Sequence, residues 1–158
     1  MRLRPYVCLL GMIAAATGCV REIDTLDEPA EVTSVGPIAT DDADNVVVSY
    51  TLRDFEGDDQ TVRVEVCTVD GEECGPAVQA PGGDPTTRVP TVPENTDVLH
   101  TFHWNPWCGR YVETDLVGSE IDAQYIVSIE VLGTETGPVT SEPFTLESVG
   151  LVSAGDCE

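Results

Sequence analysis

The stretch VVVSYTLRDFEGDDQTVRVEVC, residues 46–67, contains two runs of alternating residues joined by an acidic segment. In each run every second side chain is apolar, which is the period of a half-buried β-strand. The predicted inward sets are Val46, Val48, Tyr50 and Leu52 in the first run and Val62, Val64 and Val66 in the second. Residues 54–59 include Gly57 and predict a turn. The stretch therefore predicts two neighbouring strands, with Cys67 on the outward face of the second.

The same alternation recurs on both sides of this stretch. It predicts strands at residues 98–104, 123–131 and 140–146, and a first edge strand at residues 32–38. Proline and glycine crowd residues 75–95, where at most short edge strands fit. No amphipathic helix follows Cys19. The pattern therefore predicts an all-β, antiparallel β-sandwich.

Three short strings occur in a recognisable order: SYTLRDFEGD at residues 49–58, VRVEVCTVDG at 62–71 and HTFHW at 100–104. They resemble the fibronectin type III-like, immunoglobulin-like repeats of bacterial envelope proteins. The resemblance implies an immunoglobulin-like sandwich, which we expect at residues 45–148. The chain departs from many such repeats at Cys74, where they have tryptophan, and at Asn105, where they have aspartate.

The amino terminus has the features of an export signal. Arg2 and Arg4 precede an uncharged apolar run at residues 6–16, which is shorter than the about 20 residues that a membrane span needs. The run ends in Ala16-Thr17-Gly18-Cys19, which resembles the lipobox of bacterial lipoproteins, with Ala16 in place of the usual leucine. We expect residues 1–18 to be a lipoprotein signal peptide. An ordinary secretory signal that contains a cysteine is the alternative.

The lipobox resemblance implies that Cys19 carries a diacylglyceryl group and an acylated amine. Two or three acyl chains anchor a protein stably, because each buried CH₂ contributes about 0.8 kcal/mol. By the same resemblance, Val20 in place of aspartate implies sorting to the outer membrane. We therefore expect a palmitate-bearing lipoprotein of the bacterial cell envelope. Residues 19–44 would form its acidic tether and include the first edge strand.

The charge balance of the chain limits the classes of partner that we expect it to bind. Among 158 residues, 29 are acidic and 7 are arginine, with no lysine, which gives a formal charge of −22. Removal of Arg2 and Arg4 with the signal peptide would lower this charge to −24. Nucleic acid is not an expected partner, because phosphate contacts need a basic patch. Cations fit the charge, although a solvated acidic surface is the plainer interpretation.

The cysteines predict disulfides in an oxidising compartment. Cys8 lies in the signal peptide and Cys19 is the lipidation site, so Cys67, Cys74, Cys108 and Cys157 are left. Three pairings of these four are open. We favour Cys67 with Cys74, because Asp70-Gly71 between them is a strong hairpin-turn signal. Cys108 would then pair with Cys157 and tie down the tail, residues 149–158.

Four acidic side chains crowd the first turn: Asp54, Glu56, Asp58 and Asp59. Oxygen ligands at alternating positions around a glycine suit Ca²⁺, which takes six to eight oxygens. The EF-hand pattern is absent, because no bidentate glutamate stands at the required spacing. A solvated β-turn is the favoured interpretation, and calcium is the alternative.

Aromatic residues and histidines offer one further candidate surface. We expect Trp104 in the core, with Trp107 and Tyr111 as candidate contacts for a sugar or peptide. His100 and His103 are three apart on a strand and so point to opposite faces, which disfavours a metal site. His100 is expected at the core edge and His103 on the exposed surface.

No arrangement of residues in the sequence indicates an enzyme. Gly118-Ser119-Glu120 lacks the second glycine and the strand-to-helix turn of a nucleophile elbow. We expect a membrane-anchored envelope lipoprotein with a non-catalytic structural or protein-interaction role and no cofactor. A carbohydrate- or calcium-binding surface module is the alternative, and an extracytoplasmic hydrolase comes third. An envelope protein or polysaccharide is the expected kind of partner.

Overall fold

The computed structural model describes residues 28–106 and 123–150, and all structural statements below refer to these residues. They form nine strands and no helix. The strands are β1 (Glu31–Thr40), β2 (Val46–Arg53), β3 (Gln60–Thr68), β4 (Cys74–Pro76), β5 (Thr87–Val89), β6 (Val98–Trp104), β7 (Gln124–Val131), β8 (Val139–Thr140) and β9 (Phe144–Thr145).

The strands build two antiparallel sheets around one core. The first sheet has the order β1-β2-β6, and the second has the order β4-β3-β7-β8, with β5 paired to β3 and β9 paired to β7. Buried side chains from both sheets form a single apolar cluster. The prediction of an all-β, antiparallel β-sandwich is confirmed.

Strands β2 and β6 contribute alternate side chains to the core, as their sequences predict. The two strands pair in register from Val46 opposite Trp104 to Leu52 opposite Val98. Their buried side chains are Val46, Val48, Tyr50, Leu52, His100, Phe102 and Trp104. The period-two prediction is confirmed here, including the core position of Trp104.

The second sheet repeats the arrangement with β3 and β7. The inward side chains predicted for these strands are buried: Val62, Val64, Val66, Tyr125, Val127, Ile129 and Val131. Cys67 lies on the outward face, as predicted, but its side chain is also buried. It lies opposite Ile126 of β7 on one side and Cys74 of β4 on the other, and such cross-strand neighbours cover each other.

Strand β1 is an edge strand, as predicted, but it belongs to the sandwich itself. Ala30 and Val32 are buried in the core, so the folded domain extends upstream of residue 45. The pairing of β1 with β2 shifts register between Val35 and Ile38, where Pro37 lies. Bulges and proline are usual at sheet edges, because they discourage pairing with a further strand.

The outer edge of β6 is covered by the segment 78–84, which we call the edge segment. Its backbone bonds to β6 irregularly: Ala80 N–H donates to the His103 carbonyl at 2.7 Å, and Asp84 N–H donates to the Thr101 carbonyl at 2.7 Å. Asn105 N–H donates to the Val78 carbonyl at 3.1 Å. The edge segment therefore occupies the position where another chain would add a strand.

Truncation of Leu52 tests the core directly. Leu52 is 0% exposed, so Leu52→Ala leaves a cavity and should lower the free energy of unfolding by about 2–5 kcal/mol. Leu99 of β6 is 66% exposed, so Leu99→Ala should change it by less than about 0.5 kcal/mol. Urea unfolding of both variants measures the contrast, and equal losses would contradict the assignment of faces.

Candidate functional site

The acidic turn between β2 and β3 is organised by one buried carboxylate, that of Asp54, which is 3% exposed. Its Oδ2 accepts hydrogen bonds from the Asp58 N–H at 2.7 Å, the Thr91 hydroxyl at 3.0 Å and the Gln60 side-chain amide at 3.4 Å. Burial alone would raise the pKa of Asp54, but the bonds from Asp58 and Thr91 outweigh it and lower the pKa below its usual value. Asp54 therefore serves as an ionised clamp that closes the turn.

A cleft of about 360 Å³ lies beside this turn. Five acidic residues contribute to its lining: Glu28, Asp54, Glu56, Asp58 and Glu135. Asp59, the fourth calcium candidate, is exposed and does not line this cleft. Within residues 28–106 and 123–150, no three histidine, cysteine, aspartate or glutamate side chains are grouped so as to hold a metal ion. The geometry thus assigns Asp54 to the turn.

The hairpin between β3 and β4 holds the disulfide that the turn signal predicts. Cys67 and Cys74 lie directly opposite each other and are bonded. The turn between them is closed by the Gly71 N–H, which donates to the Thr68 carbonyl at 2.8 Å. Gly71 has a φ of 71°, a conformation that glycine adopts without strain. The predicted pairing of Cys67 with Cys74 is confirmed.

His103 differs from its prediction as an exposed side chain, since its side chain is only 17% exposed. Its Nδ1 lies 3.0 Å from Asp41 Oδ2, and Gly82 and Gly83 of the edge segment pack against its ring. A Cβ at Gly83 would lie 2.6 Å from the backbone nitrogen of His103, so glycine is required at this position. His103 therefore joins the β1–β2 turn to the edge segment.

Asp41 organises the turn between β1 and β2. Its Oδ1 accepts hydrogen bonds from the backbone N–H groups of Ala43 and Asn45, both at 2.9 Å, and the Asn45 side-chain amide donates to Oδ2 at 3.0 Å. Partial burial opposes ionisation of Asp41, but these bonds from Asn45 and Ala43, with His103, lower its pKa. Asp41 and Asp54 thus serve the same purpose at two successive turns.

A polar cluster that the sequence does not announce forms where the edge segment meets β6. His100 is 4% exposed, and its Nδ1 lies 3.5 Å from Asp84 Oδ2. The His100 ring lies 5.4 Å from the Tyr50 ring, and among the described residues its Nε2 has no hydrogen-bond partner. Burial raises the pKa of Tyr50, and the nearby charge of Asp84 raises it further.

The remaining sequence-predicted sites lie outside the described residues. These are the signal peptide, Cys19, Cys108, Cys157, Trp107 and Tyr111. Within the described residues, no helix has the length and apolar character that crossing a membrane requires. The lipid anchor, the second disulfide and the aromatic contact surface therefore stay predictions.

Comparison with known proteins yields no relative: no protein-family model, no curated protein and no solved structure matches this chain.

Removal of the Asp54 carboxylate should weaken the fold in a pH-dependent way. Asp54→Ala removes the acceptor of the partly buried hydrogen bonds from Asp58, Gln60 and Thr91 and should cost about 1–3 kcal/mol of unfolding free energy at neutral pH. Because the pKa of Asp54 is lowered in the folded chain, its stabilisation is complete above its unfolded pKa of about 3.9. It is lost as the pH falls through the lowered value, so the variant and the wild type should converge in acid.

Thermal unfolding between neutral and strongly acidic pH measures this difference, and Asp59→Ala is the matched control on the exposed side of the same turn. If the difference in stability between Asp54→Ala and the wild type stayed constant across this pH range, the role of the ionised carboxylate would be refuted.

Loss of the disulfide should lower the stability of the domain and leave its strand arrangement largely unchanged. Replacement of both Cys67 and Cys74 by alanine removes a short closed loop, and the chain-entropy model gives a loss of about 2.5 kcal/mol. Chemical denaturation under non-reducing conditions measures this loss. Non-reducing peptide mapping of the wild type provides the control, and a free thiol at Cys67 would contradict the pairing.

Proposed function

We propose that this chain is a lipid-anchored lipoprotein of the bacterial cell envelope with a non-catalytic structural or protein-interaction role. The lipobox-like sequence Ala16-Thr17-Gly18-Cys19 supports the anchor. Cys19 would carry the acyl chains, and outer-membrane sorting follows from Val20. The sandwich would then stand outside the cytoplasm, where the disulfide of the β3–β4 hairpin persists.

The observation that carries the non-catalytic role is how the chain uses its buried polar groups. Asp54 closes a turn through hydrogen bonds from Asp58 and Thr91. Ser141 is also buried, and its hydroxyl accepts a hydrogen bond from the Val127 N–H at 3.0 Å, which joins the segment after β8 to β7. Partnered groups of this kind hold a scaffold in one shape, and a rigid scaffold suits the presentation of a surface.

The position of the chain entry limits the distance between the domain and the membrane. Residue 28 begins the described part of the chain and is 9 residues after Cys19. An extended chain covers at most about 3.6 Å per residue, so this end of the sandwich would lie within roughly 30 Å of the membrane. The acidic cleft is lined by Glu28 and would therefore lie close to this tethered end.

The immunoglobulin-like, fibronectin type III-like assignment is the finer part of this proposal. Support comes from the order of the three strings in the sequence and from the antiparallel two-sheet arrangement. The rival carbohydrate- or calcium-binding module has less support, because Asp54, the buried member of the calcium candidates, already accepts hydrogen bonds from Asp58, Gln60 and Thr91.

Metabolic labelling with palmitate tests the anchor. The wild-type chain should take up label and fractionate with the outer membrane, whereas Cys19→Ala should do neither, because its thiol is missing. Cys8→Ala is the matched control and should label like the wild type, since Cys8 is removed with the signal peptide. A Cys19→Ala chain that still labels and stays with the membrane would overturn the proposal.

A further inference from the structure

Asp84 and Pro85 form the one aspartyl-prolyl peptide bond in the chain. This kind of bond is unusually prone to scission, because the aspartyl carboxyl can reach its own backbone carbonyl carbon through a five-membered ring. Proline also makes the leaving nitrogen part of a tertiary amide, which accepts a proton more readily than a secondary amide does. The surroundings of this bond in the fold therefore bear on its chemistry.

The backbone of Asp84 pairs with β6 in an irregular way. In a regular antiparallel pair, two opposite residues exchange both backbone hydrogen bonds. Here the Asp84 N–H donates to the Thr101 carbonyl at 2.7 Å, but the Thr101 N–H donates to the carboxylate oxygen Asp84 Oδ2, at 2.8 Å. The side chain thus takes the place of the Asp84 carbonyl, which faces a different donor.

That donor is Gln79, whose Nε2 donates to the Asp84 carbonyl oxygen at 2.5 Å. A donor at this oxygen draws electron density from the carbonyl carbon and stabilises the negative charge that develops on the oxygen when the carbon is attacked. Among the described residues, no hydrogen bond engages Asp84 Oδ1, which leaves this oxygen as the nucleophile.

His100 lies beside the same carboxyl. Its Nδ1 lies 3.5 Å from Asp84 Oδ2, while its buried Nε2 has no partner in the described part of the chain. The side chain of Asp84 is 44% exposed, so water has access to the bond.

We propose that this chain cuts its own backbone between Asp84 and Pro85. Asp84 Oδ1 attacks the Asp84 carbonyl carbon, a C–O bond forms, and the C–N bond to Pro85 breaks as the proton of the carboxyl passes to the proline nitrogen. A cyclic anhydride remains on Asp84. One water molecule opens it to two carboxyl groups, so the net change is hydrolysis of one peptide bond without any oxidant or cofactor. Gln79 activates the carbonyl, and His100 positions the carboxyl.

The strand order determines what happens to the two pieces. Strands β1 to β4 lie before the bond and β5 to β9 lie after it, while β6 pairs with β2 and β7 pairs with β3. Both sheets therefore contain strands from both pieces, and the cut domain stays assembled. Scission would make Asp84 the carboxyl end of the edge segment, still held to β6 through its hydrogen bonds with Thr101. This inference does not depend on the lipid anchor.

The full chain, folded and in mildly acidic buffer, provides the test. We expect reducing gels to separate two fragments, and mass spectrometry to place the new ends at Asp84 and Pro85. Native mass spectrometry should find one particle that is heavier by one water. The folded chain should be cut at least about tenfold faster than the same chain unfolded in urea, since only the fold supplies the Gln79 donor.

Variants separate fold-assisted scission from ordinary lability. Gln79→Ala should slow the cut about 10- to 100-fold and remain folded, because Gln79 is exposed, whereas the control Gln124→Ala, also exposed, should leave the rate unchanged. Asp84→Asn should abolish it. The Glu142–Pro143 bond should stay intact in every sample, because its carboxyl would need a six-membered ring. A folded chain cut no faster than the unfolded one, or a Gln79→Ala chain cut at the wild-type rate, would overturn the proposal.

Discussion

Burial of alternate side chains from four strands is the interaction on which the rest of the structure depends. Strands β2 and β6 bring one apolar face, strands β3 and β7 bring the other, and the two faces form one cluster. Tyr50, Phe102, Trp104 and Tyr125 are the largest fully buried side chains in this cluster. Because every second residue is committed inward, the residues between them and the turns are left to carry the polar character of the chain.

The many acidic side chains repel one another, and the turns provide positions where two of them are stabilised in their charged form. A chain of formal charge −22 repels itself when it is compact. Asp41 and Asp54 offset part of this repulsion, because hydrogen bonds from Asn45 and Asp58 favour the charged form of each carboxylate in the folded state. On the first sheet, Arg53 bonds Asp97 at 2.9 Å at an exposed position, where an ion pair adds little to stability.

Features that depend on residues close together in the sequence were predictable, and features that depend on residues far apart were not. Periodicity is local, so the faces of Val48, Phe102 and Ile129 followed from the sequence, as did the Cys67–Cys74 hairpin around Asp70-Gly71. The contact of Asp84 with His100 depends on how a proline-rich segment returns to β6, which no local pattern encodes. The prediction that His103 is exposed was wrong for the same reason, because its partner Asp41 lies 62 positions away in the sequence. The acidic turn suggested oxygen ligands by composition, but composition does not reveal that Asp54 already accepts three hydrogen bonds.

The strand order has a consequence for how the chain acquires its shape. Strand β2 pairs with β6, which begins only at Val98, and β3 pairs with β7, which ends at Val131. Contacts of such high sequence separation make folding slow, because loop closure must precede the contacts that reward it. A chain that emerges amino terminus first would therefore expose the apolar faces of β2 and β3 until β6 and β7 have been made. Its dependence on late strands therefore leaves the nascent chain without a closed core until β7 has been made.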